Sequence, residues 1–301
     1  MTDAVSALPD KSRSEGTSSV PRRVLGQHLR SLRQQAALPV KTAAGLLEWS
    51  EPKLWRIETG QTVVRALDVE AMCAFYGAPP DLTQVLAGLA RHTRAYGWWR
   101  PNSETILGHF SIYAALEESA SNLLEYASGQ VPDLLRTGDY ARAVMISSQP
   151  ADADAGHLVR ECLARQTVVF RTKAPLWVTV ILNEAILRCP VGGTSVMAGQ
   201  LRHLAEMAAL PNVCLRVVPF SAGNHPGLTT GAFRLLEFPP VGRSETEAGI
   251  VHATGLTGEL YLDKPHEVRR FREAHAAILG CSLDETASRD LINSAAKEIE
   301  Q

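Results

Sequence analysis

The sequence contains no apolar run long enough to cross a membrane. A membrane-spanning helix needs roughly 18–20 apolar residues, whereas the longest compact apolar stretch covers residues 176–182 and is interrupted by Thr179. The first 20 residues are polar and lack the apolar segment of a secretion signal. We therefore expect a cytoplasmic protein that does not bind membranes, with a disordered tail over residues 1–21.

Cysteine is scarce and scattered, with five residues in a chain of 301 and no CxxC pair. This distribution argues against a disulfide framework and against a zinc site. The sequence also lacks a P-loop, a dinucleotide-binding fingerprint and a GxSxG nucleophile motif. We accordingly predict no metal ion, no cofactor and no catalytic residues, and we expect that the protein is not an enzyme.

Charge is nearly balanced over the whole chain but is unevenly distributed along it. The net formal charge is −2. Residues 21–100 carry 11 Lys and Arg against 6 Asp and Glu, whereas residues 101–301 carry 17 against 23. A basic N-terminal region followed by an acidic C-terminal region is typical of a domain that binds a polyanion joined to a domain that does not.

Length and hydrophobic periodicity predict two domains and an α+β fold overall. Apolar residues recur at helical spacing through residues 22–96, which predicts an all-helical domain, and residues 97–108 form the expected linker. Residues 109–301 mix helical and strand periods, which indicates an α+β domain. A helix is predicted there from about Phe110 to Ser128, and strands are predicted over residues 176–183, 213–219, 232–238 and 249–253.

The segment from residue 39 to residue 60 predicts a helix-turn-helix. Ser50 is a good N-cap and Pro52 is tolerated in a first turn, so a helix should run from about Glu51 to Glu58. Gly60 then ends that helix. The apolar residues expected to fill the angle between this helix and the preceding one are Leu47, Leu54 and Ile57.

This segment resembles the xenobiotic-response-element type of helix-turn-helix, which also occurs in phage repressors. The residues that carry the resemblance are Ser50, Leu54, Arg56, Ile57, Glu58, Thr59 and Gly60. The resemblance implies that Glu51, Pro52 and Arg56 face bases in double-stranded DNA, while Ser50 and Lys53 face phosphate. Arg56 is the best base reader, because a guanidinium can grip guanine O6 and N7 through two hydrogen bonds.

Two positions depart from that helix-turn-helix pattern. Glu48 stands in the turn where the family usually has glycine, and a non-glycine residue in a left-handed turn costs roughly 1–2 kcal/mol. Val40 stands where glutamine often opens the second helix and touches a phosphate.

Nearly the whole chain, about residues 22–295, resembles WhiJ-like bacterial regulators, which join this helix-turn-helix to a C-terminal domain of uncharacterised activity. The motifs that carry the resemblance lie at residues 131–142, 183–188, 191–193, 200–204, 211–213, 218–227 and 256–261. The resemblance implies transcriptional control, often in development or secondary metabolism, and often a small companion protein. Relatives often carry Tyr-x-Glu in the strand where this chain has residues 252–254.

Three residues of the C-terminal domain are candidates for a ligand pocket: Glu184, Arg188 and His225. His225 lies in a glycine-containing loop after a predicted strand, where it could act as a base, bind an anion or simply cap the backbone of a turn. Glu184 and Arg188 are one helical turn apart, so they form an ion pair or line a polar pocket with His225. Asp152, Asp154 and His157 have metal-ligand spacing, but their Pro/Ala/Gly-rich context favours a solvated loop.

The function that the sequence predicts is sequence-specific regulation of transcription by a homodimer. Two-fold regulators gain affinity by reading two half-sites, and the C-terminal domain would supply the dimer contact, the response to a small-molecule effector or the docking of a companion protein. One alternative is a toxin-like or enzymatic C-terminal domain whose helix-turn-helix serves autoregulation. Another is a module that binds a companion protein without any small ligand.

Overall fold

The computed structural model describes residues 20–92, 112–148, 154–239, 249–256 and 258–300. The chain divides into two compact units, residues 1–99 and residues 100–301. The predicted linker and residues 1–19 of the predicted tail lie outside the described residues, but the last two tail residues begin a helix. No helix of the described part is long and apolar enough to span a membrane.

The described part of the first unit is all-helical, as its periodicity predicts. Its apolar core contains Leu25, Leu29, Leu54 and Met72, each fully buried. The helices are α1 (Val20–Gln35), α2 (Val40–Leu46), α3 (Glu51–Glu58), α4 (Ala66–Tyr76) and α5 (Pro80–His92).

The second unit combines helices with a mixed six-stranded sheet, so the chain is α+β overall. The strands are β1 (Asn122–Ala127), β2 (Trp177–Asn183), β3 (Val213–Val218), β4 (Phe233–Glu237), β5 (Gly249–Gly255) and β6 (Gly258–Leu262). The helices are α6 (Ile112–Ser119), α7 (Gly138–Ser148), α8 (Ala155–Arg165), α9 (Ala185–Arg188), α10 (Thr194–Met207), α11 (Gly227–Thr230), α12 (Pro265–Gly280) and α13 (Glu285–Ile299).

The sheet order is β3-β2-β1-β4-β5-β6, which places β1 at its centre. Strands β1, β2 and β3 run parallel, whereas β4 is antiparallel to both β1 and β5. Strand β5 therefore runs in the same direction as β1, and both end at the same edge of the sheet. We call this edge the carboxyl edge.

The predicted helix from Phe110 to Ser128 is wrong over its second half. Helix α6 ends at Ser119 and the chain then enters the central strand β1. The spacing of Leu123 and Tyr126 fits either a helix or a strand. Both side chains are buried, but they lie on opposite faces of the sheet and not on one face of a helix. Strand β6 was also not predicted; it follows β5 directly through a hairpin.

Strand β3 lies at one edge of the sheet, and the backbone groups of Val217 are satisfied by residues in and just before the first turn of α13. The amide of Val217 donates to the hydroxyl of Ser288 at 3.0 Å, and the carbonyl of Val217 accepts from the amide of Leu283 at 2.8 Å. This cover removes unpaired backbone groups that would otherwise invite edge-to-edge association.

Candidate functional site

The residue at which α3 begins is determined by Ser50 and Pro52. Ser50 has extended backbone dihedrals, and its hydroxyl accepts a hydrogen bond from the amide of Lys53 at 3.4 Å. Pro52 occupies the first turn, where its missing N–H costs nothing because that turn has no intrahelical acceptor. The predicted N-cap and first residue of the helix are both confirmed.

The turn between α2 and α3 places Glu48 in the left-handed region, with φ of 54°. The amide of Glu48 donates to the carbonyl of Gly45, and the amide of Trp49 donates to that of Ala44. This pair of bonds is a Schellman motif, which normally uses glycine at the left-handed position. The predicted strain of about 1–2 kcal/mol at Glu48 therefore has its geometric basis here.

The inner side of α3 fixes which residues face outward. Leu47, Leu54 and Ile57 are all buried, as expected for side chains that fill the angle between two packed helices. Because helical side chains repeat every 3.6 residues, burial of Leu54 and Ile57 turns the opposite face of α3 to solvent.

The outward face of α3 presents the predicted base readers. Glu51, Pro52 and Arg56 are exposed, whereas Lys53 is half-buried and holds its ammonium 3.7 Å from the centroid of the Trp49 ring. Among the described residues, no carboxylate forms an ion pair with Arg56, so its guanidinium donors are available to an incoming acceptor. Arg56 lies in the last turn of α3, and an unpaired guanidinium on the outward face of a helix can read guanine in the major groove.

The C-terminal end of α3 is anchored to α1 by a buried ion pair that sequence reasoning did not identify. The carboxylate of Glu58 accepts from Nε of Arg33 at 2.7 Å and from Nη2 at 2.9 Å. The remaining Arg33 nitrogen donates to the carbonyl of Leu38 at 2.8 Å. Both charged side chains are less than 10% exposed, so this fork locks the orientation of α3 against the helix behind it.

Position 60 requires glycine, both because of its backbone dihedral angles and because of its close neighbours. Its φ is 70°, and a Cβ at this position would lie 2.7 Å from Cα of Arg23. We expect Gly60→Ala to lower the free energy of unfolding by more than about 1–2 kcal/mol, because backbone strain and the clash add. Chemical denaturation of the full chain, followed in the first unit by hydrogen exchange, measures this change.

Gly45→Ala is the matched control for Gly60→Ala. Gly45 lies in α2, and a Cβ there would meet nothing within 4 Å. Alanine is favoured over glycine in a helix by about 0.8–1.0 kcal/mol, so Gly45→Ala should leave stability unchanged or raise it. Equal losses in the two variants would contradict the proposed role of Gly60.

A row of polar side chains crosses four strands of the second unit. Glu125 on β1, Arg234 on β4, His252 on β5 and Tyr261 on β6 are direct neighbours in register. We call these four residues the polar row. All but Arg234 are buried, and Arg234 is half-buried, so their charges need partners close at hand.

An ion network surrounds Glu125 and Arg234, two members of the polar row. The carboxylate of Asp133 contacts three guanidiniums, with distances of 2.8 Å to Arg136, 3.5 Å to Arg165 and 3.3 Å to Arg234. These arginines outweigh the effect of burial and lower the pKa of Asp133 to about 2. Burial, in contrast, raises the pKa of Glu125, although Nε of Arg234 lies 2.9 Å from its carboxylate.

A cavity of about 270 Å³ opens beside the polar row at the carboxyl edge of the sheet. Three members of the row, Glu125, Arg234 and His252, line it together with residues 128–132, which follow β1. The strand ends at this edge of an α/β sheet are a common place for ligands. Sequence reasoning missed this cavity, because its walls come from segments more than 100 residues apart.

Comparison with known proteins divides the chain in the same way as its geometry. A model described as a helix-turn-helix domain matches residues 24–86. A second model, described as a domain of unknown function (DUF5753), matches residues 110–294, which is more than half of the chain. The chain belongs to the DUF5753 family. Neither a curated protein nor a solved structure matched it. The helix-turn-helix match supports a DNA-binding role in the regulation of transcription.

Within the DUF5753 domain, the structure brings together two of the three predicted pocket residues. Glu184 and Arg188 form an ion pair at 3.1 Å, and Arg188 also pairs with Glu298. The second carboxylate oxygen of Glu184 accepts from the amide of Phe220 at 2.8 Å, which holds the turn after β3. Each member of the pair therefore has a further partner within the protein, Phe220 for Glu184 and Glu298 for Arg188.

His225, the third predicted pocket residue, has different neighbours. Its Nδ1 accepts from the amide of Gly227 at 3.2 Å, and its ring lies edge-on to Tyr126 with 6.0 Å between centroids. Among the described residues, no hydrogen bond or ion pair joins His225 to Glu184 or Arg188. His225 thus caps the turn that leads into α11 and packs behind a wall of the cavity.

The structure describes part of the Asp-x-Asp-x-x-His segment at residues 152–157. Asp154 caps α8 by accepting from the amide of His157 at 3.0 Å, and the imidazole of His157 lies 3.4 Å from Glu161. Asp152 lies outside the described residues. In the described part of the chain, no three His, Cys, Asp or Glu side chains are grouped closely enough to hold a metal ion.

Proposed function

We propose that the protein is a sequence-specific transcriptional regulator of the xenobiotic-response-element type, with a WhiJ-like arrangement of domains. The observation that carries this proposal is the outward face of α3, where Arg56 is exposed and unpaired by any described carboxylate while Ser50 caps the helix. The basic charge of residues 21–100 supports contact with a polyanion.

The same proposal makes the regulator a homodimer. Helix α3 is only eight residues long and one such helix buries little surface on DNA, so a second copy is needed for affinity. Two copies related by a two-fold axis would read half-sites about one DNA turn apart. The C-terminal domain then acts by binding an effector, a companion protein or its own copy.

Binding rather than catalysis by the C-terminal domain is part of the proposal. Asp133 is held ionised by three guanidiniums, which makes it unsuited to donate a proton near neutral pH. Glu125 and Arg234 neutralise one another across two strands. Groups that are paired in this way favour the recognition of a ligand over proton transfer.

Arg56→Ala tests the proposed register of α3 on DNA. We expect the variant to bind a site selected from random duplexes about 1–3 kcal/mol more weakly and to lose preference at one base pair, because it loses a bidentate contact. Lys53→Ala should instead weaken binding uniformly across sequences and reduce the salt slope by about 1.

Arg91→Ala serves as the matched control for Arg56→Ala. Arg91 is exposed on α5 and contacts only Glu70, at 3.7 Å, among described carboxylates, so its removal changes the net charge equally without touching α3. Unchanged base preference in Arg56→Ala, with both proteins selecting the same sites at matched salt, would show that the register is wrong.

A further inference from the structure

The cavity at the carboxyl edge has walls built for a small polar molecule. We propose that it binds a nucleobase or a closely related cyclic amide, a flat ring that carries a hydrogen-bond donor beside an acceptor. This inference does not depend on DNA binding by α3. It assigns a binding site to the DUF5753 domain.

Two complementary charged groups face each other across β1 and β4. Glu125 and Arg234 are direct neighbours in register. Oε1 of Glu125 is engaged by Nε of Arg234, but no described residue donates to Oε2 of Glu125 or accepts from Nη1 of Arg234. A carboxylate only accepts and a guanidinium only donates, so a ligand that bridges them must present a donor next to an acceptor.

The buried wall of the cavity contains a polar atom without a hydrogen-bond partner among the described residues. His252 lines the cavity and is 2% exposed. Among the described residues, Nε2 of His252 has no hydrogen-bond partner, although it lies 3.5 Å from Glu259. Buried polar atoms are normally satisfied, and a polar ring in the cavity would supply a partner.

The cations that line the cavity are already paired with acceptors of the protein. Arg136 lines the cavity, but its donors are used by the carbonyl of Val131, the side chain of Gln130 and the carboxylate of Asp133. The guanidinium of Arg234 is likewise compensated by two carboxylates. With its cations neutralised in this way, the cavity favours an uncharged ligand over a phosphate or a carboxylate.

The size of the cavity limits its ligand. A volume of about 270 Å³ falls just below the range of roughly 300–1,000 Å³ that holds drug-sized ligands. Such a volume suits a compact ring better than an extended chain.

The test is isothermal titration calorimetry of the full chain with uracil, thymine, cytosine, adenine, hypoxanthine and xanthine, each added alone. We expect at least one of these to bind, and its fully N-methylated analogue, such as 1,3-dimethyluracil or 1,3,7-trimethylxanthine, to bind at least about tenfold more weakly because its donors are blocked. Binding by none of the six bases overturns the proposal. Equal binding of base and methylated analogue overturns it as well.

Two variants locate the binding site within the chain. Ala232 is exposed and lines the cavity, so Ala232→Trp should abolish binding by filling the space, whereas Ala277→Trp, on the exposed side of α12, should bind as the wild type does. Circular dichroism and thermal melting verify that both variants fold. Retained binding in a folded Ala232→Trp protein places the ligand elsewhere and overturns the assignment.

Glu125→Gln tests the chemistry of recognition. It keeps the shape of the side chain but removes the charged acceptor, so the affinity for the base that binds should fall by about tenfold or more. Inorganic phosphate is the probe for the opposite class of ligand. Phosphate binding that Ala232→Trp removes, without binding of any base, would identify an anion site and overturn the proposal.

Discussion

Glu58→Ala is expected to lower the free energy of unfolding of the helix-turn-helix unit by about 3–5 kcal/mol. The substitution leaves the guanidinium of Arg33, which is buried in the ion pair, without its carboxylate. An uncompensated buried charge costs more than the pair itself contributes. Hydrogen exchange at the amides of α1 and α3, measured in the full chain, reports the stability of this unit separately from that of the C-terminal domain.

Two further variants separate the loss of the buried pair from a general effect of losing a carboxylate. Glu51→Ala removes an exposed glutamate from the same helix, and we expect a change within about 0.5 kcal/mol. The double variant Arg33→Met/Glu58→Leu replaces both charges by apolar groups and should recover much of the lost stability. A loss below about 1 kcal/mol in Glu58→Ala would contradict the anchoring role of the pair.

Asp133→Asn is expected to destabilise the C-terminal domain by about 3–5 kcal/mol at neutral pH. Asp133 is the one carboxylate of the described network that contacts Arg136, Arg165 and Arg234 together. Its neutralisation leaves three half-buried or buried guanidiniums with two carboxylates, those of Glu117 and Glu125. Urea unfolding monitored by hydrogen exchange in the sheet measures the change.

The same residue predicts a dependence of stability on pH. The pKa of Asp133 is lowered from 3.8 to about 2 by its arginines, so its contribution is complete above pH 4 and is lost as the pH falls from about 4 to about 2. The loss should be on the order of 2 kcal/mol. Asp133→Asn should lack this decline.

The pKa of Glu125 is shifted in the opposite direction, so its titration does not produce this decline in stability. Burial raises its pKa, so protonation of Glu125 at falling pH favours the folded state. Asp139→Asn, at an exposed position in the first turn of α7, is the control and should change stability by only a few tenths of a kcal/mol. A wild-type and an Asp133→Asn protein with the same acid profile would show that the network does not hold Asp133 ionised.

The helix-turn-helix was predictable because its signals are local. Ser50, the apolar pair Leu54 and Ile57, and Gly60 lie within 11 consecutive residues, and each specifies its own backbone state or face. The Arg33–Glu58 pair was not predicted, since it joins residues 25 apart and both side chains are of types that usually remain in solvent.

The polar cavity was not predictable from periodicity. The Glu125–Arg234 pair joins residues 109 apart, and Glu125 lies in a segment whose apolar residues also fit a helix. Only the sheet order brings β1 between β2 and β4. The predicted trio rested on the helical spacing of Glu184 and Arg188 and on the glycine-containing loop that carries His225. Local ion pairing and turn capping account for the contacts that these residues make.

DNA binding through α3 is tested most directly by selecting sites for the full chain from random duplexes and then measuring affinity for the recovered site across a salt series. We predict a palindromic site with half-sites about one DNA turn apart, and an affinity that falls steeply and linearly with salt on logarithmic axes. Binding that is independent of sequence, or the recovery of no site at all, would contradict the assignment of α3 as a recognition helix.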